Sequence, residues 1–223
     1  MDEKLIKEAE NGDYISQNEL ALKYQQDKQF KEALYWFTKA AEQEYDEAQF
    51  NLAEMYGSGQ SGAFKLLDDY IYISDKEQYF KWATRAAKQG NPKFQEKLAW
   101  SYEKSDPVKY KYWATKASEQ GYVKAQSYLG WAYYYDVETG KGVPEDIIKG
   151  VYWATRAAEQ GDSGSQNFIT RFYLKGEKNI KNYELSLLFK KAADLAKDGH
   201  YDQAETTWSQ NELWKYHEPN LEL

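Results

Sequence analysis

The chain contains no cysteine. That excludes disulfides, thiol nucleophiles and thiolate zinc sites. Histidine occurs only twice, as His200 and His217. Neither stands in an H-E-x-x-H helix, so the usual ligand sets of a metal centre are missing and no metal or other cofactor is expected. Of the 29 basic residues only Arg85, Arg156 and Arg171 are arginine. With the many Asn and Tyr, that bias points to a low-GC bacterial genome. Proline occurs four times, at Pro92, Pro107, Pro144 and Pro219, each at an expected break between helices.

No run approaches the roughly 18 apolar residues of a transmembrane helix. The first residues, MDEKLIKEAENGD, carry charge from Asp2 onward and have no apolar segment, so no signal peptide is expected. An excess of positive charge is also lacking, the net charge being −7. An acidic chain gains nothing from phosphate backbones or an anionic membrane, which disfavours both as partners. A soluble, cytoplasmic bacterial protein is the expectation.

Catalytic signatures are equally scarce. No G-x-S-x-G elbow occurs. The glycine-rich stretch Gly57–Gly62 lacks the Lys-Ser/Thr of a phosphate loop, and Asp68 and Asp69 lack the spaced ligands of a calcium loop. Both read as connector. No catalytic, cofactor-binding or metal-binding residue is assigned, and the chain is not expected to be an enzyme.

What is abundant is a recurring phrase. Trp36–Glu44 reads WFTKAAEQE, Trp82–Gly90 WATRAAKQG, Trp113–Gly121 WATKASEQG and Trp153–Gly161 WATRAAEQG, at intervals of 46, 31 and 40 residues. Self-similarity at this period marks a repeat protein. Each phrase is followed by a run of the form A/S-Q/E-x-x-L/I-small-x-x-Y. The five copies centre on Leu20, Leu52, Leu98, Leu129 and Ile169, with Ala21, Ala53, Ala99, Gly130 and Thr170 next to them. The four-residue spacings put these apolar residues on one face of a helix, here called helix A. The segment ending in the phrase is helix B, predicted over Phe30–Ala41, Glu77–Ala87, Pro107–Ser118, Asp146–Ala158 and Asn182–Ala193. Gly90, Gly121 and Gly161 suit left-handed caps after the B helices. The small residue of helix A is expected where A and B cross. Trp36, Trp82, Trp113 and Trp153 take equivalent B positions and are expected in the core.

These residues resemble the Sel-one-like repeat family, kin of the tetratricopeptide repeats. The match is fullest over Ala125–Gly161, where the Gly140–Asp146 loop has the Gly-Val-x-x-Asp form typical of the family. The resemblance implies an all-α fold, a right-handed α/α superhelical solenoid of about five helix pairs with a C-terminal capping helix. Residues 1–223 form one solenoid domain in this reading, with repeats near 5–41, 42–87, 88–118, 119–158 and 159–196 and a cap over 197–223. An insertion spans 57–75. Its Tyr70–Ile73 stretch is expected to pack on the flank or extend the next helix, or else to form a docking lip.

The resemblance also implies protein recognition, since members act as adaptors, scaffolds and recognition modules. A bacterial immunity protein that neutralises a toxin or effector is one such role. A regulatory scaffold in a signalling or stress pathway is a second, and a hydrolase is the enzymatic alternative. By analogy with tetratricopeptide stacking, the positions two before, two after and five after the core Leu line a concave groove. Of these, Trp100, Trp131 and Tyr134 form the expected aromatic patch, flanked by Phe50 and Arg171. Glu54, Glu96 and Glu103 are expected to steer a basic protein partner.

Overall fold

The computed structural model describes residues 3–58, 64–66, 69–71, 74–138, 141, 146–169, 172, 191 and 194–210. The chain divides into two compact units, Met1–Leu98 and Ala99–Leu223.

The first unit holds α1 (Glu3–Glu10), α2 (Tyr14–Gln26), α3 (Phe30–Glu42), α4 (Asp46–Gly57) and α5 (Lys76–Lys88), with the start of α6 (Pro92–Tyr102). α1 packs on α2, α2 on α3, α3 on α4 and α4 on α5. The predicted B helices agree with α3 and α5 to within one residue at each end. The core stripe of helix A is equally well placed, with Leu20, Ala21, Leu52, Ala53 and Leu98 all buried. Trp36 packs half-buried against Leu5, Ala9 and Leu20. Trp82 is buried.

The inserted segment adds a small hairpin to the otherwise helical fold. β1 (Phe64–Leu66) and β2 (Asp69–Ile71) pair antiparallel, with Phe64 opposite Ile71 and Leu66 opposite Asp69. Tyr70 and Ile71 therefore lie in a strand and do not lengthen α5, whose N-cap is Asp75. β-branched and aromatic residues favour the pleated chain. Tyr72 and Ile73 lie outside the described residues.

The second unit holds the end of α6, then α7 (Pro107–Glu119), α8 (Val123–Glu138), α9 (Asp146–Glu159) and α10 (Tyr201–Gln210), with helical turns at 163–169 and 194–197. α7 packs on α8, α8 on α9, and α10 on α9. The B helix predicted over Asn182–Ala193 lies outside the described residues apart from Lys191. Trp113 is buried and Trp153 half-buried. Ala204 of α10 is buried.

One device recurs at the five described turns that lead into the Gln-bearing motif segments. Gly12, Gly90, Gly121 and Gly161 adopt left-handed φ of 97°, 103°, 80° and 90°, and Glu44 takes the same place with φ 63°. Their N–H groups bond back to the carbonyls of Ala9, Ala87, Ser118, Ala158 and Ala41 respectively. Those carbonyls end helices and have no intrahelical partner of their own. Each accepts a second bond from the Nε2 of a glutamine eight residues on: Gln17, Gln95, Gln126, Gln166 and Gln49, at 3.0–3.2 Å. This glutamine is the invariant Gln of the helix A motif. Its Oε1 in turn accepts Nε2 of the glutamine in the recurring phrase, in the pairs Gln43 to Gln17, Gln89 to Gln49 and Gln160 to Gln126, at 2.7–2.9 Å. A chain of side-chain amides thus ties helix A to the helix before it and to the helix after it.

Candidate protein-binding cleft

Helix A has two further kinds of position beyond its core stripe, and the structure separates them. The residue two before the core Leu is buried in the first four repeats, as Asn18, Phe50, Glu96 and Ser127, whereas Asn167 of the fifth is exposed. Asn18 accepts a 3.0 Å bond from Asn51. Phe50 is only 3% exposed and stacks flat on Phe94, centroids 4.7 Å apart, with Lys97 4.7 Å over its ring. Ser127 donates to Asp162 at 3.0 Å and accepts from Ser165 at 2.9 Å. Two and five after the core Leu, the described residues are exposed, as Glu54, Glu103 and Trp131, or half-buried, as Leu22, Gln25, Trp100 and Tyr134.

Phe50 therefore forms no open flank of a groove; it is a packing residue between helices α4 and α6. Glu96, at the same repeat position, is buried as well, at 9% exposed. A helix wheel tells which residues share a face. It does not give the angle through which the next pair turns, and that angle covers this position. Glu54 is exposed on α4 in the first unit. Arg171 lies outside the described residues.

Within the second unit a cleft of about 700 Å³ opens between the end of α6, α7 and α8. Its aromatic walls are Trp100, Tyr110, Tyr128, Trp131 and Tyr135. Trp100 is half-buried and meets Tyr128 edge-on at 4.5 Å and Tyr110 at 6.2 Å. Trp131 is 45% exposed and Tyr135 62%. Large side chains are not ordinarily left this open in one place without a role, since exposed apolar patches mark interaction sites. Glu103 and Asp136 line the same cleft with Lys104, Lys111 and Lys141. Lys111 pairs with Asp136 at 2.5 Å and also lies 4.5 Å over the Tyr133 ring. That pair is partly shielded from solvent and fixes α7 to α8 across the cleft.

Of the expected groove residues, then, the cleft gathers Trp100, Glu103 and Trp131. Tyr134 lies aside from it. Its ring packs against Phe168 at 5.2 Å and Phe172 at 5.8 Å, and touches Trp131 at 6.4 Å. Tyr110, Tyr128 and Tyr135 are cleft residues that the positional analogy passes over. A signal for two of them exists. Tyr128, Trp131 and Tyr135 are spaced i, i+3, i+7, a second apolar stripe on α8 beside the core stripe through Leu129. A helix apolar on two faces either packs on both or offers one to a partner.

The glutamic acids do not assemble the acidic rim expected for a basic partner. Glu103 alone lines the cleft, among three lysines. Carboxylates act elsewhere as helix caps. Asp106 accepts Lys109 N at 3.0 Å, and this backbone bond, with the Lys109 side chain, lowers its pKa from 3.8. Among the described residues no group of three or more His, Asp or Glu side chains has metal-holding geometry. No described helix is long and apolar enough to cross a membrane.

Stacked helix pairs with left-handed caps define an α/α repeat protein of the solenoid class. More closely, the chain belongs to the Sel1 repeat family, whose model matches residues 15–45, 46–70, 74–91, 93–122 and 123–162. Among solved structures it is similar to a protective antigen of uropathogenic Escherichia coli that displays an SLR fold, at 26% identity and TM-score 0.61 over 96% of this chain and 48% of that one. It is also similar to a Sel1 repeat protein from Oxalobacter formigenes, at 30% identity and TM-score 0.59 over 75% of this chain and 47% of that one. The chain thus spans about half the length of both. An immunity protein from Pseudomonas aeruginosa overlaps only slightly, at 18% identity and TM-score 0.34, over 80% of this chain and 76% of that one. No curated protein matches the chain. Sel1 repeats are, as a class, protein-interaction modules.

Proposed function

We propose that the chain is a non-catalytic recognition module that holds a segment of another protein in the cleft between α6, α7 and α8. The observation that carries this is the open aromatic wall of Trp100, Tyr128, Trp131 and Tyr135. Trp and Tyr are the side chains most enriched at binding hot spots, because a large rigid ring buries much area at little entropic loss. The cleft offers nothing comparable for chemistry. Its lining carboxylates are Glu103 and Asp136, and Asp136 is engaged by Lys111. That favours adaptor or scaffold over hydrolase. Neutralisation of a toxin or effector is one form that recognition by this cleft takes in our reading, and a regulatory scaffold is the other.

The test is photo-crosslinking from position 135 in cells, followed by identification of the captured protein. The captured protein must then lose affinity for a Trp100→Ala/Trp131→Ala double variant whose helical circular dichroism is unchanged. Retained affinity in a folded double variant sinks the proposal.

A further inference from the structure

We infer that the occupant of this cleft is a short, extended, acidic segment of its partner. The inference rests on the recognition reading above and adds the chemistry of the ligand. The chain as a whole is acidic, yet the cleft inverts that sign. Three lysines line it against two carboxylates. One lysine and one carboxylate cancel in the Lys111–Asp136 pair. Lys104 and Lys141 then remain against Glu103, a surplus of one positive charge; both lysines are exposed, and among the described residues no carboxylate pairs with either. Lys141 is held at the rim because its N–H donates to the Asp136 carbonyl at 2.8 Å. Two lysines at the rim of an aromatic trough are placed to meet carboxylates on a segment whose apolar side chains lie on the rings.

Size argues for a segment and not a folded face. A space of about 700 Å³ falls in the range of small-ligand sites and fits a few residues of extended chain. Complementary charge at such a rim sets partner choice and association rate more than raw affinity. It also predicts binding that weakens with salt.

The experiment is selection of a phage-displayed library of random linear peptides on the full chain. The selected peptides are then synthesised and titrated by fluorescence anisotropy. The expected result is enrichment of Asp and Glu beside Pro or other apolar residues. Binding should weaken about tenfold or more, roughly 1.4 kcal/mol, in a Lys104→Glu/Lys141→Glu variant, and should also weaken in Trp131→Ala. Enrichment of Lys or Arg overturns the inference. So do neutral peptides that ignore the charge reversal but need Trp131, an outcome that leaves the cleft itself standing as a recognition site. Peptides indifferent to both variants, or no enrichment at all, overturn both readings. A single-stranded oligonucleotide that competes as well as the peptides also overturns the acidic-segment inference, since the lysines would then serve phosphates.

Discussion

Gly130 of α8 and Gly150 of α9 lie backbone to backbone. A Cβ added to Gly130 would come within 3.0 Å of the Gly150 carbonyl oxygen, and one added to Gly150 would come equally close to the Gly130 carbonyl oxygen. The matching positions of the first repeat, Ala21 and Ala33, are both fully buried alanines. The fourth repeat has given up even these methyl groups. The atoms in the way are backbone, so a side chain cannot be accommodated by a rotamer change.

Gly130→Leu should therefore destabilise the second unit by at least the ~1–3 kcal/mol typical of overpacking. A thermal melt followed by circular dichroism checks this. A variant melting with the wild type would mean that α8 and α9 do not cross here.

The glutamine chain makes a second prediction. Gln126 is buried, gives its Nε2 to the Ser118 carbonyl and takes the amide of Gln160. Gln126→Leu keeps the size but strips both bonds. An unsatisfied buried polar group costs about 1–3 kcal/mol, and the urea midpoint should fall accordingly. Gln160→Ala, at an exposed site, should cost less. The two losses should not add, because both variants remove the same Gln160–Gln126 bond. Additive losses would show that the amides do not act as a chain.

Acid stability is the third. Burial opposes ionisation of Asp162, but the Ser165 side chain and N–H and the Ser127 hydroxyl outweigh it and lower the pKa from 3.8. Asp13, held by Ser16, and Asp106 are lowered as well. The unfolded chain then binds more protons than the folded one as pH falls past about 4. The stabilisation from these carboxylates is complete above that pH and is lost as pH drops through their folded values. Asp162→Asn keeps an acceptor oxygen but cannot titrate. Denaturant midpoints measured from about pH 5 down to about pH 3 should decline less steeply in this variant. Equal slopes would remove Asp162 from the account.

Much of the fold was legible because the signals were local. The Trp-led phrase and the Leu-small pair set helix boundaries and core faces. Gly90, Gly121 and Gly161 announced left-handed caps, which the structure shows. Two things were not legible. The motif glutamine reads as a polar filler until its carbonyl partner eight residues back is seen. The groove was only partly readable, because Phe50 stands two residues before its core Leu and Trp131 two after, which places them only about 40° apart on the helix face turned from the core stripe. The turn of the following pair buries one position and leaves the other open, and no periodicity within a single helix reports that turn. The charge of the site was also obscured, since Lys104, Lys111 and Lys141 are scattered in sequence and converge only through α6, α7 and α8.

The last prediction sets Phe50 against Trp131. Phe50 is enclosed by Ala86 and Phe94. Phe50→Ala should behave as a core truncation, costing about 3–5 kcal/mol of stability. Trp131 is nearly half exposed, although one part of its ring touches Phe168 at 4.4 Å. Trp131→Ala should cost stability much less than Phe50→Ala. Its effect should fall on affinity, by on the order of 2 kcal/mol or about thirtyfold, as expected of a central anchor. Melts of both variants, paired with titration of one cleft-binding peptide, separate the two. If Trp131→Ala proves the more damaging to the fold, or leaves affinity untouched, the open stripe on α8 is packing and not a binding surface.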